Sequence, residues 1–315
     1  MRNALMLCVV WLVTGCPVDY RDSGAKMQVQ YQTAPAMQRS APPGASAPAG
    51  RAPARGEASD VDTPSYRLKE RPHDFALVIG VERYASLPAA EFAEQDAAAV
   101  TRHLHALGVP ARNVIHLSGQ QATRSSIQGY LDEWLPRNVT PGSTVFFYYS
   151  GHGAPDPRTG DAYLVPWDGN ASFLQSTALP LKHLYGALAK LKATRTIVVL
   201  DACFSGAGGR SVLAQGARPL VVTVQGGTLP EGNLTLFAAA SGDEITATLR
   251  DHGHGLFTYF FLKGLAGAAR DQGGRVTARS LHEYLKPRVQ DEARRQNREQ
   301  TPNLHAPQEL VIRGE

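Results

Sequence analysis

Four short runs in this chain are apolar from end to end, and they constrain its fold more than any other feature: Phe75 to Val81, Thr144 to Tyr149, Thr196 to Leu200 and Leu234 to Ala238. A strand with one face in water alternates polar and apolar residues, so strands without alternation are covered on both faces. Asn113 to Leu117 is a weaker run of the same kind. Between the runs the period changes to that of a helix. Ala97, Val100, Leu104 and Leu107 mark one helix, and Ile127, Leu131 and Leu135 a second that Thr123 is placed to cap. Pro180 suits the first turn of a third, carrying Leu184, Leu188 and Leu191. Strand, helix, strand, helix predicts an α/β fold: a doubly wound, mostly parallel sheet flanked by helices, with its ligand crevice beyond the carboxyl ends of the strands.

A hydrophobic share of 43% with 19% charged residues is enough for one sizeable core of this type and excludes disorder as the main state. The net charge of +4 is spread over the chain, with Lys and Arg beside acids as in Asp291 to Glu299, so no nucleic-acid partner is expected. Of three cysteines, Cys8 and Cys16 belong to the N-terminal segment, which leaves Cys203 alone in the folded part, unable to form an intramolecular disulfide.

Arg2 followed by the apolar run Ala4 to Thr14 has the pattern of a signal peptide, too short to span a hydrocarbon core that needs roughly 20 helical residues. Val13-Thr14-Gly15-Cys16 resembles the bacterial lipobox. That resemblance implies cleavage after residue 15, lipidation of Cys16, and a bacterial cell-envelope protein held on a membrane by acyl chains. The stretch from about Gln28 to Thr63 is rich in Ala, Pro, Gly, Ser and Gln and cannot bury enough apolar area to offset its ordering entropy. The expected organisation is a signal peptide over 1–15, a lipidated Cys16 with a disordered Ala/Pro/Gly-rich tether over 16–70 and the folded domain over 71–315.

At the predicted strand ends stand Ser150-Gly151-His152-Gly153 and Asp201-Ala202-Cys203-Phe204-Ser205-Gly206. Adjacent strands lie about 4.8 Å apart, so if these two are neighbours an imidazole and a thiol can reach a shared substrate in an open groove at one rim. Taken singly, a free cysteine is more often a small buried hydrophobe and a lone histidine a structural residue. Their joint placement at the rim favours nucleophilic catalysis.

These motifs, together with Ala76-Leu77-Val78-Ile79-Gly80 and the later Phe237 to Ser241 and His254 to Thr258, resemble those of the caspase-like cysteine peptidases (peptidase family C14), in the metacaspase and orthocaspase branch. The histidine precedes the cysteine by 203 − 152 = 51 residues, in keeping with the roughly 50-residue interval of caspases. The resemblance implies a cysteine endopeptidase with Cys203 as nucleophile, His152 as proton-transfer partner and an oxyanion site at the Gly153 and Cys203 N–H groups. It also implies that Asp96, Ser150 and Asp201 line the pocket for the residue before the cut. A carboxylate pair there favours guanidinium or ammonium, so the expected substrates are proteins or peptides cut after Arg or Lys.

Other readings compete. A caspase-like domain that has lost activity and serves as a tethered binding module is one, and a serine hydrolase using Ser205 or Ser241 is another, although neither serine stands in a Gly-x-Ser-x-Gly elbow. No cofactor is required by the chemistry. Related metacaspases can be calcium-stimulated, and the resemblance leaves that open here, but Asp156, Asp161 and Asp168 do not have EF-hand spacing, Arg210 stands where an acidic ligand would be sought, and His252 with His254 lacks a zinc ligand set, so no metal site is assigned. The glycine-rich stretch from Gly206 to Gly232, with Arg210 and Arg218, reads either as a self-cleaved loop or as an uncut loop that contacts substrate.

Overall fold

The structure, a computed structural model, describes residues 59–156, 158–204, 210, 212, 232–242 and 244–314. The expected signal peptide, Cys16, the expected tether up to residue 58, Ser205 and Arg218 lie outside the described residues.

The central sheet has six strands: β1 (Phe75–Gly80), β2 (Val114–Ser118), β3 (Thr144–Ser150), β4 (Arg195–Asp201), β5 (Leu234–Ala238) and β6 (Asn303–His305). Their order is β6-β5-β4-β3-β1-β2, with β6 antiparallel and the others parallel. Every residue of β1, β3 and β5 is buried, as strands without alternation require. The antiparallel edge strand β6 is half-buried and too short and polar to stand out in the sequence.

Two apolar layers cover the sheet. On one face Ala76, Val78, Phe146, Tyr148, Ile197 and Val199 pack under α1 (Ala93–Ala106) and under two later helices, Leu256–Lys263 and Ala278–Arg295. On the other, Leu77, Ile79, Phe147, Tyr149, Val198 and Leu200 pack with Ile127, Leu131, Leu135, Leu184 and Leu188. The helix begun at Arg124 is capped by Thr123, whose Oγ1 accepts from the Ser126 N–H at 3.2 Å, and it runs through a π-helical turn, Tyr130–Trp134, into Leu135–Asn138. The helix expected near Pro180 begins at Leu181: Pro180 is its cap and pairs with Tyr163 in a small second sheet, so it precedes the first turn instead of entering it.

The boundary expected at residue 71 moves toward the N-terminus. Val61 is 1% exposed, its carbonyl accepts from His103 Nε2 at 2.9 Å, and the Leu68 N–H donates to the Ala106 carbonyl at 2.7 Å. Residues 59–70 therefore pack on α1 as part of the domain. Val61, with Tyr66 and Leu68 half-buried beside it, carries that contact, three apolar residues too few to mark the segment as part of a core in the sequence.

Candidate active site

The register of the two middle strands sets the site. Ser150 at the end of β3 is paired with Asp201 at the end of β4. Side chains alternate along a strand, so Ser150 follows Phe146 and Tyr148, and Asp201 follows Ile197 and Val199, onto the face covered by α1. Asp96 in the first turn of α1 reaches the same place and is fully buried. Beyond β5, the short hairpin Thr248–Leu249 with His254–Gly255 leads into the helix Leu256–Lys263 and brings His254, Gly255 and Thr258 to the cluster. Asp96, Ser150 and Asp201 are thus assembled into one pocket.

Each acid is anchored. Asp96 Oδ1 accepts from His254 Nδ1 at 2.8 Å and from the Gly255 N–H at 3.1 Å, while Oδ2 accepts from Ser150 Oγ at 3.2 Å. Asp201 Oδ2 accepts from Thr258 Oγ1 at 2.6 Å, which leaves that hydroxyl oxygen to accept from Tyr148 at 2.7 Å. Gly255 is required by space: a Cβ there would stand 2.7 Å from Asp201 Oδ2 and 2.9 Å from both Asp96 Oδ2 and Arg210 Nη2.

The pocket is filled by Arg210. Its Nη2 donates to Asp96 Oδ2 at 2.9 Å and to the Glu91 carbonyl at 2.8 Å. Its Nη1 donates to Ser150 Oγ at 2.7 Å and lies 3.0 Å from Asp201 Oδ1, an ion pair without hydrogen-bond alignment. Burial works against all three charges. For Asp96, the His254 hydrogen bond and the Arg210 charge outweigh it and hold the carboxyl below its ordinary range. For Asp201, burial prevails and, with repulsion from Asp96, raises the pKa despite Arg210. The two carboxylates in turn hold the Arg210 guanidinium above its ordinary value although burial acts in the opposite direction.

The backbone of Arg210 is held as closely. Its carbonyl oxygen accepts from the Gly153 N–H at 2.9 Å and from the Cys203 N–H at 3.3 Å, and the Val212 N–H donates to the Gly153 carbonyl at 3.0 Å. The two N–H groups expected from the sequence to form an oxyanion site therefore converge on one carbonyl oxygen. A Cβ on Gly153 would overlap the Cys203 carbonyl and the Phe204 ring, so this approach needs a glycine.

His152 and Cys203 lie at this same rim, but the open groove expected around them is closed: each is 1% exposed. The His152 N–H donates to Tyr84 Oη at 2.6 Å, its carbonyl accepts from Tyr149 Oη at 2.7 Å and from the Val165 N–H at 3.0 Å, and its ring stacks on Tyr84 with centroids 4.7 Å apart. His152 Nε2 lies 2.8 Å from the Pro88 carbonyl. A carbonyl only accepts, so the proton is on Nε2 and Nδ1 keeps its lone pair; Nδ1 is buried without a partner among the described residues. Burial lowers the His152 pKa and raises that of Cys203, whose Sγ accepts from the Thr246 N–H at 2.8 Å and donates to Thr246 Oγ1 at 3.1 Å.

The remaining candidates separate from the site. Ser241 Oγ donates to the Thr301 carbonyl, a structural role at the edge of β6. Asp156 is paired with Arg158, Asp161 with Lys182, and Asp168 accepts from the Arg124 N–H, so the three acids serve different parts of the loop region.

A family model described as the caspase domain matches residues 73–310. A 95-residue segment is 30% identical to metacaspase-2 and to metacaspase-3 of Trypanosoma brucei brucei, covering 28% of this chain and 27% and 26% of those proteins. The match thus spans about a quarter of the curated relatives' length. Among solved structures, a protein of Geobacter sulfurreducens superposes with a TM-score of 0.54 at 18% identity, covering 74% of this chain and 93% of that one. Caspase-1 of Spodoptera frugiperda superposes with a TM-score of 0.50 at 14% identity, covering 83% and 96%. At such identities the likeness is one of fold.

Proposed function

The chain belongs to the caspase-domain family of cysteine peptidases, and from that premise we propose that it is an endopeptidase that hydrolyses peptide bonds after Arg or Lys with a Cys203–His152 dyad. The observation that carries this reading is the pose of Arg210: a guanidinium between Asp96, Ser150 and Asp201, continuous with a carbonyl oxygen on the Gly153 and Cys203 N–H groups. A substrate residue would need those same two anchors, one for its side chain and one for the oxygen that becomes negative in the transition state.

In the proposed reaction, Sγ leaves Thr246 and passes its proton to Nδ1 of His152, the nitrogen whose lone pair is left over by the bond to Pro88. The thiolate attacks the carbonyl carbon, and the two N–H groups hold the oxyanion. As the C–N bond breaks, His152 returns the proton to the departing amine, and water hydrolyses the thioester to restore the thiol. The Pro88 carbonyl takes the orienting place that a third side chain fills in triads.

Fluorogenic peptides ending in Arg, Lys or Asp before the leaving group test the assignment. Turnover is expected on the Arg and Lys peptides and none on the Asp peptide; preferential cleavage after Asp would overturn it. As part of the same proposal, the chain is anchored to a bacterial envelope membrane through lipidated Cys16 and needs no metal. Metabolic labelling with a radioactive fatty acid should mark the parent chain and spare Cys16→Ser, and turnover unchanged by a calcium chelator is expected.

A further inference from the structure

We propose that Asp62, on the segment that enters the domain, is a positioning residue for the basic pocket: its carboxylate holds one end of the His254 ring while the other end holds Asp96. The entering segment is then part of the recognition apparatus. This rests on the reading of Asp96, Ser150 and Asp201 as the pocket for a basic residue, and it adds the support of one wall of that pocket.

The His254 ring is fully buried and lies between two acids. Nδ1 donates to Asp96 Oδ1 at 2.8 Å; a carboxylate only accepts, so Nδ1 carries a proton. Nε2 has no hydrogen-bond partner among the described residues and faces Asp62 Oδ1 at 3.6 Å. Turning the ring over would take Nδ1 from Asp96 and bring carbon atoms to both acids, so the two carboxylates together select one of its two orientations. Asp96 depends on that orientation. Burial acts against its charge, and of the influences that oppose burial the His254 hydrogen bond is the largest, ahead of the charge of Arg210. With the ring turned over, Asp96 Oδ1 would keep the Gly255 N–H alone among the described donors.

Asp62 is itself held in place. Its Oδ2 accepts from the Ser59 N–H at 2.9 Å, and its Oδ1 and its carbonyl accept from Arg102. Beside it, the Val61 carbonyl accepts from His103 Nε2, which leaves His103 Nδ1 to accept from Tyr66 Oη at 3.1 Å. Arg102 and His103 belong to α1, the helix whose first turn carries Asp96. One helix therefore sets Asp96 near its start and the segment that carries Asp62 near its end, and His254 joins the two acids across the gap. The Asp62 side chain is 15% exposed and the ring it faces is fully enclosed, so solvent screens this contact less than a pair at the surface.

The experiment measures turnover of fluorogenic Arg peptides by full-length chains, with iodoacetamide alkylation of Cys203 as a readout that does not use the pocket. Asp62→Asn keeps the size of the side chain and removes its charge; KM is expected to rise about fivefold with kcat within about twofold and alkylation unchanged. Asp60→Asn releases the same segment from Lys263 rather than from His254 and should keep the parent KM. An equal rise in both variants would mean a general loosening of the segment and would overturn the proposal. His254→Asn retains a donor for Asp96 in place of Nδ1 and lacks Nε2, so adding Asp62→Asn to it should raise KM no further, whereas effects that multiply would count against the proposal. If His254→Asn does not fold, the two variants of the segment decide. A parent KM in Asp62→Asn would overturn the support and leave the basic pocket standing; no turnover of Arg or Lys peptides by the parent chain would remove the pocket and its support together.

Discussion

The proposed recognition pocket and the proposed reacting pair meet at one rim of the sheet in opposite conditions. The pocket is assembled: Asp96, Ser150, Asp201, His254 and Thr258 are bonded to one another and to a guanidinium. The pair is not: Cys203 is bonded to Thr246, and His152 is fixed in place with Nδ1 unused. The difference follows from where the side chains start. Ser150 and Asp201 end strands whose register fixes them, whereas Cys203 follows β4 in irregular chain. On the proposed reading, the sheet fixes the binding geometry and the chain that follows it carries the chemistry.

The comparison breaks most plainly at the nucleophile. Cys203→Ala should lower turnover of Arg peptides by about 10³-fold or more while leaving the fold intact, as read by kcat and by thermal melting. Undiminished turnover would place the chemistry elsewhere. Next in size is the pocket: Asp201→Asn or Asp96→Asn should lower kcat/KM for Arg peptides by about 10²-fold, the loss expected when one partner of a buried charge pair is removed. The same substitutions leave Arg210 short of a countercharge and should cost about 3 kcal/mol of stability in chemical denaturation. A drop in turnover without a drop in stability would indicate that Arg210 is not seated in the pocket in solution.

How far the sequence disclosed this arrangement depended on what each residue had to reveal. Apolar runs exposed the strands because burial on two faces excludes alternation, and the motifs at their ends gave His152, Gly153 and Cys203. Asp96, Ser150 and Asp201 came by resemblance, and strand register explains why they converge. Pro88 left no trace, since it acts through a carbonyl that every residue has. Thr246 and Thr258 are residue types with many bland uses, and His254, which opens a family-like motif and lacks a zinc ligand set, carries no sign in the sequence of its bond to Asp96. Arg210 stood in view as a candidate cut site and as a poor calcium ligand. That its side chain returns to the pocket is a long-range contact, which composition and period do not encode.

Gly255→Ala sharpens the contrast from the pocket side. The added methyl meets Asp96 Oδ2 and Asp201 Oδ2, so about tenfold weaker binding of Arg peptides is expected, seen as a raised KM with a smaller change in kcat. An unaltered KM would mean that the wall of the pocket yields.

The smallest effect, and the most direct on the reacting pair, concerns pH. Burial raises the Cys203 pKa, so at neutral pH the thiolate fraction falls below that of an ordinary thiol, and burial lowers the His152 pKa, so the imidazolium fraction falls with it. Alkylation by iodoacetamide needs thiolate, and its rate should climb by about tenfold per pH unit until the pH passes the Cys203 pKa, with a midpoint above the ordinary value of about 8.5. A midpoint at or below the ordinary value would mean that Cys203 is not buried in solution.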